Sequence, residues 1–160
     1  MQISTFYIKD EAFAVPSLVV EEYFRPLPIT KVPGADRRID GIVNIRGRTA
    51  VVINMRQCFD VPSRPASEPG EMILLETTQG LVAEARELGL YTFEEPVVLS
   101  VDCVSQIHQL AGEEVHPAPP HVNQCFVDGV VQIDEHYYTM ISIRKLIDAL
   151  LNGTAKEIPC

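Results

Sequence analysis

Residues Ile39 to Ile53 read IDGIVNIRGRTAVVI. Two apolar, β-branched runs, Ile39 to Ile45 and Thr49 to Ile53, flank Arg46-Gly47-Arg48. Branched aliphatic side chains suit a pleated, half-buried surface. A glycine at the centre of the short polar link accepts the positive φ that a tight hairpin needs. The stretch is therefore a strand, a turn and a strand, and the chain on both sides follows the same grammar. Upstream, Ile3 to Ile8 (ISTFYI) and Ala12 to Val20 form a hairpin across Asp10-Glu11. Pro16 in the second run marks an edge, a bulge or the start of a short helical turn. Glu21 to Phe24 is a further strand. Ile29-Thr30-Lys31-Val32 then runs into the turn signal Pro33-Gly34.

Downstream, Ser63 to Gly70 is a polar, proline-rich loop, and Met72 to Leu75 is a strand. Leu81, Val82, Ala85 and Leu88 fall at helical spacing and predict a short helix within Leu81 to Leu90. Val97 to Val104 reads as one buried strand. Phe126 to Ile133 and Tyr137 to Ile143 flank Asp134-Glu135 as a last hairpin. The clearest helix closes the chain: Ile143, Leu146, Ile147, Leu150 and Leu151 make one apolar stripe. Ser142 is placed to cap its start and Asn152-Gly153 to stop it. Some ten strands about ten residues apart, with one strong helix, predict a mainly β protein built as small barrels. No internal sequence repeat is visible.

The chain has 160 residues, 46% of them apolar, with 13 Lys and Arg against 22 Asp and Glu for a net charge of −9. That size suits one compact domain. The acidity argues against nucleic-acid binding, which needs a cationic face. Arg37, Arg38, Arg46, Arg48 and Arg56 cluster loosely and read as a solvated or acid-paired surface. The four cysteines (58, 103, 125 and 160) form no close pair, so a zinc site is not expected. Cys58, Cys103 and Cys125 read as small buried hydrophobes, and Cys160 as exposed. The first residues alternate like a strand and carry charge, unlike a signal peptide. No apolar run nears the ~18 residues of a spanning helix. Reduced cysteines and the lack of an export signal make the cytoplasm the expected compartment, without direct membrane insertion.

Reactive constellations are sparse. Phosphate-loop and dinucleotide-binding glycine patterns, the serine-hydrolase elbow and zinc-protease motifs are all missing. His116 and His121 lie in HPAPPH, which at ~3.1 Å per residue holds them about 15 Å apart. The acidic pairs Asp10-Glu11, Glu21-Glu22, Glu94-Glu95, Glu113-Glu114 and Asp134-Glu135 read as solvated turns, since neighbours on a strand point to opposite faces. An enzyme or small-ligand binder would need convergent polar groups that the sequence does not show. No catalytic residue, metal or cofactor is expected. The residues alone lead to an acidic, β-rich binding module.

Ile29 to Phe59, ITKVPGADRRIDGIVNIRGRTAVVINMRQCF, resembles the central signature of the CheW family of chemotaxis coupling proteins. The matching elements are Val32-Pro33, Ile39-Asp40-Gly41, Asn44-Ile45-Arg46-Gly47 and Asn54-Met55-Arg56. Val101-Asp102-x-Val104, His116-Pro117-Ala118-Pro119 and Phe126-x-x-Gly129-Val130 resemble later elements, so the likeness spans residues 3 to 151. Asn54 stands where the family usually has Asp, which bears on a local cap or turn. Leu99-Ser100 replaces more usual apolar residues. GLVAEARELGLYTFEE (80 to 95) reads as an insertion containing the helix candidate.

The resemblance implies a CheW-like fold: two small five-stranded β-barrel subdomains around a shared core, with a C-terminal helix, over residues 1 to 152, followed by a short tail (153 to 160). It implies a non-catalytic adaptor joining the cytoplasmic tip of chemoreceptors to the regulatory domain of a CheA-type histidine kinase, associated with receptor arrays through these partners. The alternative is a CheW-fold scaffold in another pathway, such as surface motility or second-messenger control, which the insertion would serve. Arg46, within Asn44-x-Arg46-Gly47, matches the family arginine tied to receptor and kinase coupling; it also suits a hairpin-tip arginine paired with a local acid. Val20 and Glu22 match positions beside a receptor groove between the barrels, although Val20 equally suits plain core. Ile42, Ile45 and Val101 fall along that groove by the same likeness, and each would be apolar in any β core.

Overall fold

The computed structural model describes residues 1–65, 67–111, 115–119 and 125–151. The first hairpin pairs β1 (Gln2–Ile8) with β2 (Glu11–Pro16). Pro16 ends β2 and caps a 3-10 turn over Ser17–Val19, one of the roles its sequence context allows. The chain then enters β3 (Val20–Phe24). The hairpin expected over Ile39 to Ile53 is β4 (Ile39–Ile45) and β5 (Arg48–Asn54), with Ile45 opposite Arg48. Both turn residues are left-handed, Arg46 at φ 51° and Gly47 at φ 83°. Paired positive φ angles give the turn whose twist matches that of the strands.

A short helix that the sequence pattern does not announce, α1 (Met55–Cys58), follows. Then come β6 (Glu71–Leu75), α2 (Ala83–Glu87), β7 (Val97–Val101), β8 (Cys103–Gln109), β9 (Val127–Ile133), β10 (His136–Ile141) and α3 (Ile143–Leu151). The helix expected within Leu81 to Leu90 is α2, shortened to five residues. Ile29 to Val32 contributes a single bridge, Thr30 to Ile42, rather than a strand. Ser142 caps α3, its Oγ accepting the Lys145 N–H at 3.2 Å. The expected stop at Asn152-Gly153, the Glu113-Glu114 pair, His121, the 153–160 tail and Cys160 lie outside the described residues.

The strands form two five-stranded sheets, ordered β8-β1-β2-β10-β9 and β3-β6-β7-β5-β4. Their pairings correspond one to one. Reading β8, β9, β10, β1 and β2 for β3, β4, β5, β6 and β7 reproduces every neighbour and every direction, including the lone parallel pair, β5–β7 in one and β10–β2 in the other. The two ends of the chain together thus repeat its middle with a circular shift, although no sequence repeat marks it.

Each sheet curls until its ends face one another. In the β3–β4 sheet, Thr30 and Ile42 exchange backbone hydrogen bonds of 2.8 Å, and Phe24 and Leu27 pack on Val43 and Ile45. In the β8–β9 sheet, His116 and Val130 make the same exchange, and the Tyr138 hydroxyl meets His108 Nε2 at 3.3 Å. The closures share one device. Gly41 (φ 146°) and Gly129 (φ 158°) sit beside the bridged residues, where a Cβ would strike the Thr30 and His116 carbonyl oxygens. Only a bare backbone allows the strand to come that close.

The alternation of each strand fills two cores at once. Val52, Met72, Leu74 and Val98 point into the second barrel, and Ile3, Ala14, Val131 and Met140 into the first. The opposite faces meet between the barrels in one shared core. It joins Phe6, Phe13 and Val15 to Ile53, Ile73, Leu75, Leu99 and Leu146. Both faces of the central strands are buried, which is why Val97 to Leu99 and Met72 to Leu75 read as unbroken apolar runs.

The run expected as one strand from Val97 to Val104 breaks at Asp102, where the chain leaves the second barrel and enters the first. The Asp102 carboxylate accepts hydrogen bonds from Arg56 Nε at 2.9 Å and Nη2 at 2.6 Å, from Arg64 Nη1 at 2.8 Å and from the Lys9 backbone N–H at 2.7 Å. Its own N–H donates to the Tyr7 carbonyl at 3.0 Å. Burial pushes this carboxyl up, but the donors outweigh that and hold it at about 2. Arg64 also donates to Ser100 Oγ at 3.1 Å, which accounts for a buried serine where an apolar residue is usual.

The break resets the alternation, so Cys103, expected in the core, is exposed. Mostly polar residues, with an exposed Ile107 among them, carry the strand on to Gln109, past the end the hydrophobic pattern marks. Cys58 is buried as expected, and burial pushes its thiol up to about 12. Cys125 is half-buried and disulfide-bonded, so the expectation of wholly reduced cysteines is corrected.

Two outcomes are expected. Gly41→Ala destabilises the domain by about 2 kcal/mol or more, through left-handed strain and collision with Thr30; urea unfolding checks this, and a change under about 0.5 kcal/mol contradicts it. Asp102→Asn costs about 3 kcal/mol at pH 7, because it removes the charge facing two largely buried arginines. A carboxyl lowered in the folded state stabilises above its ordinary value of 3.8, and that contribution fades as pH falls toward about 2. The two proteins therefore converge in stability across that acid window, followed by circular dichroism.

Candidate partner-binding surface

The β4–β5 hairpin projects its tip toward β3, and the contact is a ladder of opposite charges. The Asn44 side-chain carbonyl accepts the Gly47 N–H at 3.0 Å, fixing the turn. From that turn, Arg46 Nη2 donates to Glu22 Oε2 at 2.7 Å while its guanidinium lies 5.7 Å from the Phe24 ring centroid. One step along β5, Arg48 Nη1 reaches Glu21 Oε1 at 3.3 Å. The register of β3 against β6 slips between Val20 and Glu22. A bulge there lets both acids face the hairpin. Glu21-Glu22 is thus an acid-paired strand segment and not the solvated turn its sequence suggests.

Arg46 realises the local pairing that the sequence held open, yet its side chain remains 59% exposed. The hydrogen bond it donates to Glu22, and the charge of that carboxylate, push the guanidinium further up, so it is cationic at every physiological pH. The other clustered arginines are paired likewise, Arg37 with Asp60, Arg38 with Asp36 and Arg56 with Asp102. The acid pairing expected of them is present, but Arg38 is buried and Arg56 largely so, not at the surface. Beside the ladder, the Tyr23 hydroxyl donates to Ser4 Oγ at 2.7 Å, and Ser4 bonds Ser17 at 2.9 Å, a polar string from β3 to the first barrel.

The structure gathers Glu22, Asn44, Arg46 and Gly47 at this surface. Val20 is half-buried against the shared core, and Ile42 is half-buried on the edge strand β4. Ile45 and Val101 present no surface: Ile45 fills the second barrel, and Val101 is fully buried in the shared core. A groove position is thereby corrected to core for these two, since a side chain sealed between strands has no face to offer a partner. Arg48, Glu21 and Phe24 complete the ladder. The spacing Arg46-x-Arg48 opposite the doublet Glu21-Glu22 was the signal for them, obscured by the unseen bulge. Asn54 performs the capping role its position suggested, its Oδ1 accepting the Gln57 N–H at 3.2 Å while Nδ2 donates to Asp40 at 3.1 Å. An aspartate could not make that second bond.

Among the described residues no helix is long and apolar enough to cross a membrane, and no three His, Cys, Asp or Glu side chains gather as a metal would require. Two barrels closed on themselves, sharing one core and carrying a braced cationic hairpin tip, define a β-rich domain whose chemistry lies in its surfaces. The chain belongs to the CheW-like family: residues 2–151 match the CheW-like domain. It is 24% identical over 159 residues to a probable chemotaxis protein CheW of Rhizobium etli, covering 98% of this chain and 90% of that one. A chemotaxis protein CheW of Klebsiella aerogenes is 23% identical over 159 residues, covering 95% and 87%. The fold matches the crystal structure of the scaffolding protein TtCheW from Thermoanaerobacter tengcongensis with a TM-score of 0.71, at 24% identity and 88% coverage of each chain.

Proposed function

We propose that this chain is a non-catalytic chemotaxis adaptor that joins the cytoplasmic tips of chemoreceptors to the regulatory domain of a CheA-type histidine kinase. Family membership over residues 2–151 supports the adaptor class. The observation that carries the finer reading is the exposed Arg46 tip, held outward by Glu22 and Phe24 beside half-buried Val20 and Ile42. A guanidinium braced on a stiff two-residue turn keeps its direction, so less side-chain freedom is lost when a partner carboxylate replaces Glu22. The adaptor works in the cytoplasm and gathers at membrane-bound receptor arrays through its partners. Val20, Glu22, Ile42, Asn44, Arg46 and Gly47 form its contact surface, and Ile45 and Val101 hold that surface from within.

Calorimetry of the purified chain against the regulatory domain of each CheA-type kinase in its genome tests the reading. Binding near ~1 μM or tighter to one of them is expected. Arg46→Glu should keep the fold and an unchanged melting curve, because an exposed ion pair contributes little. The same variant should weaken binding to the receptor tip or the kinase by about tenfold through charge reversal. Unfolding of the variant would make Arg46 structural. Unchanged affinity for both partners would remove it from the contact surface.

A further inference from the structure

Each barrel leaves a cleft at the same place, where its parallel strand pair begins. In the second barrel the cleft holds about 720 Å³ between the start of β5, the end of β6 and the start of β7. Arg48, Thr49, Thr78, Gln79, Glu94 and Glu95 line it, and it contains no aromatic ring. In the first barrel the corresponding strands, β10, β1 and β2, bound a cavity of about 990 Å³. Tyr7, Phe13, Phe59, Tyr137 and Tyr138 meet there, in a chain that has only 5 Tyr and 6 Phe in all. Phe13 and Tyr138 are buried in the floor, and the half-buried Phe59 ring stands 4.8 Å from that of Phe13. Tyr7 and Tyr137 form the rim, 37% and 64% exposed. The topology does not require these rings, since the same position in the second barrel is filled by threonine, glutamine and glutamate. Charge reaches the cleft from two sides: Lys9, Asp10 and Glu11 in the β1–β2 turn, and His136 at the start of β10. The turn is fixed, because the Lys9 N–H donates to Asp102 at 2.7 Å and the Tyr7 carbonyl accepts the Asp102 N–H at 3.0 Å.

We infer that the aromatic cleft of the first barrel binds a small organic cation, a quaternary ammonium compound with an apolar body. The faces of aromatic rings attract a cation electrostatically, and clustered rings are how proteins recognise quaternary ammonium groups. Asp10 and Glu11 supply counter-charge, on a chain whose net charge is −9. Lys9 offsets one of these two carboxylates, so the turn keeps a net negative charge. An anion would find Lys9 and His136 but would also face both carboxylates and the negative faces of the rings. The cavity is larger than one ammonium headgroup, which leaves Phe59, Val61 and Ile8 to pack against the rest of the ligand. Such a site lets the protein respond to a solute directly, and it does not depend on the Arg46 surface or on the coupling reading above.

The test is calorimetric titration of the full chain with three probes: benzoylcholine, its uncharged isostere 3,3-dimethylbutyl benzoate, and benzoate. Benzoylcholine should bind saturably with a Kd below about 1 mM, with the isostere about tenfold weaker and benzoate without saturable binding. Tyr137→Ala and Glu11→Gln, both at exposed positions and each checked for an unchanged melting curve, should weaken benzoylcholine by about fivefold. Glu11→Gln should leave the isostere's affinity as it is in the parent chain. Equal affinity for the cation and its isostere, or tighter binding of benzoate, overturns the assignment of a cation. Absence of saturable benzoylcholine binding, or parent-like binding by both variants, overturns the site.

Discussion

A single carboxylate holds the point on which this architecture turns. Asp102 lies where the chain passes from one barrel to the other, and its ligands come from three places that the fold must keep in register: the β1–β2 turn, α1 and the proline-rich loop. The cost of burying the charge is offset by paired arginines and a backbone N–H, the condition under which an interior ion is tolerated. The crossing also explains the break in periodicity. A strand that continued through residue 102 would carry its alternation into the wrong barrel and turn one core face outward.

Around that crossing, the two barrels solve one packing problem twice. Each is too small to bury both faces of its own sheet, so each fills its lumen with one face and gives the other to a shared core. The circularly shifted order of the strands lets one barrel form from the unbroken middle of the chain while its counterpart forms from the two ends. Gly41 and Gly129 show how the correspondence persists without sequence likeness. The constraint is a close backbone approach, and a bare α-carbon satisfies it in any surroundings.

Most of the fold was legible because apolar alternation reports strands directly, and the Arg46-Gly47 hairpin, the Ser142 cap and the α3 stripe emerged where expected. Features that depend on tertiary context were not. The β3 bulge brings Glu21 and Glu22 to one side, whereas their adjacency alone implied opposite faces. The second half of β8 has Ile107 as its one apolar residue and so shows no alternation, and α1 is too short for a period to register. The surface around Arg46 was legible through the family signature. Its core neighbours Ile45 and Val101 were not separable from groove residues by sequence, because a β-branched residue in a barrel suits either place.

Coupling of receptor to kinase is tested by reconstitution. The chain is combined with a CheA-type kinase from its genome and with vesicles carrying one of its chemoreceptors, and kinase autophosphorylation is followed with and without the receptor's ligand. Activity is expected to rise well above that of the kinase alone only when chain and receptor are both present, and ligand is then expected to change it. Kinase activity that is indifferent to the chain, under conditions where the receptor is folded and the kinase active, would contradict it.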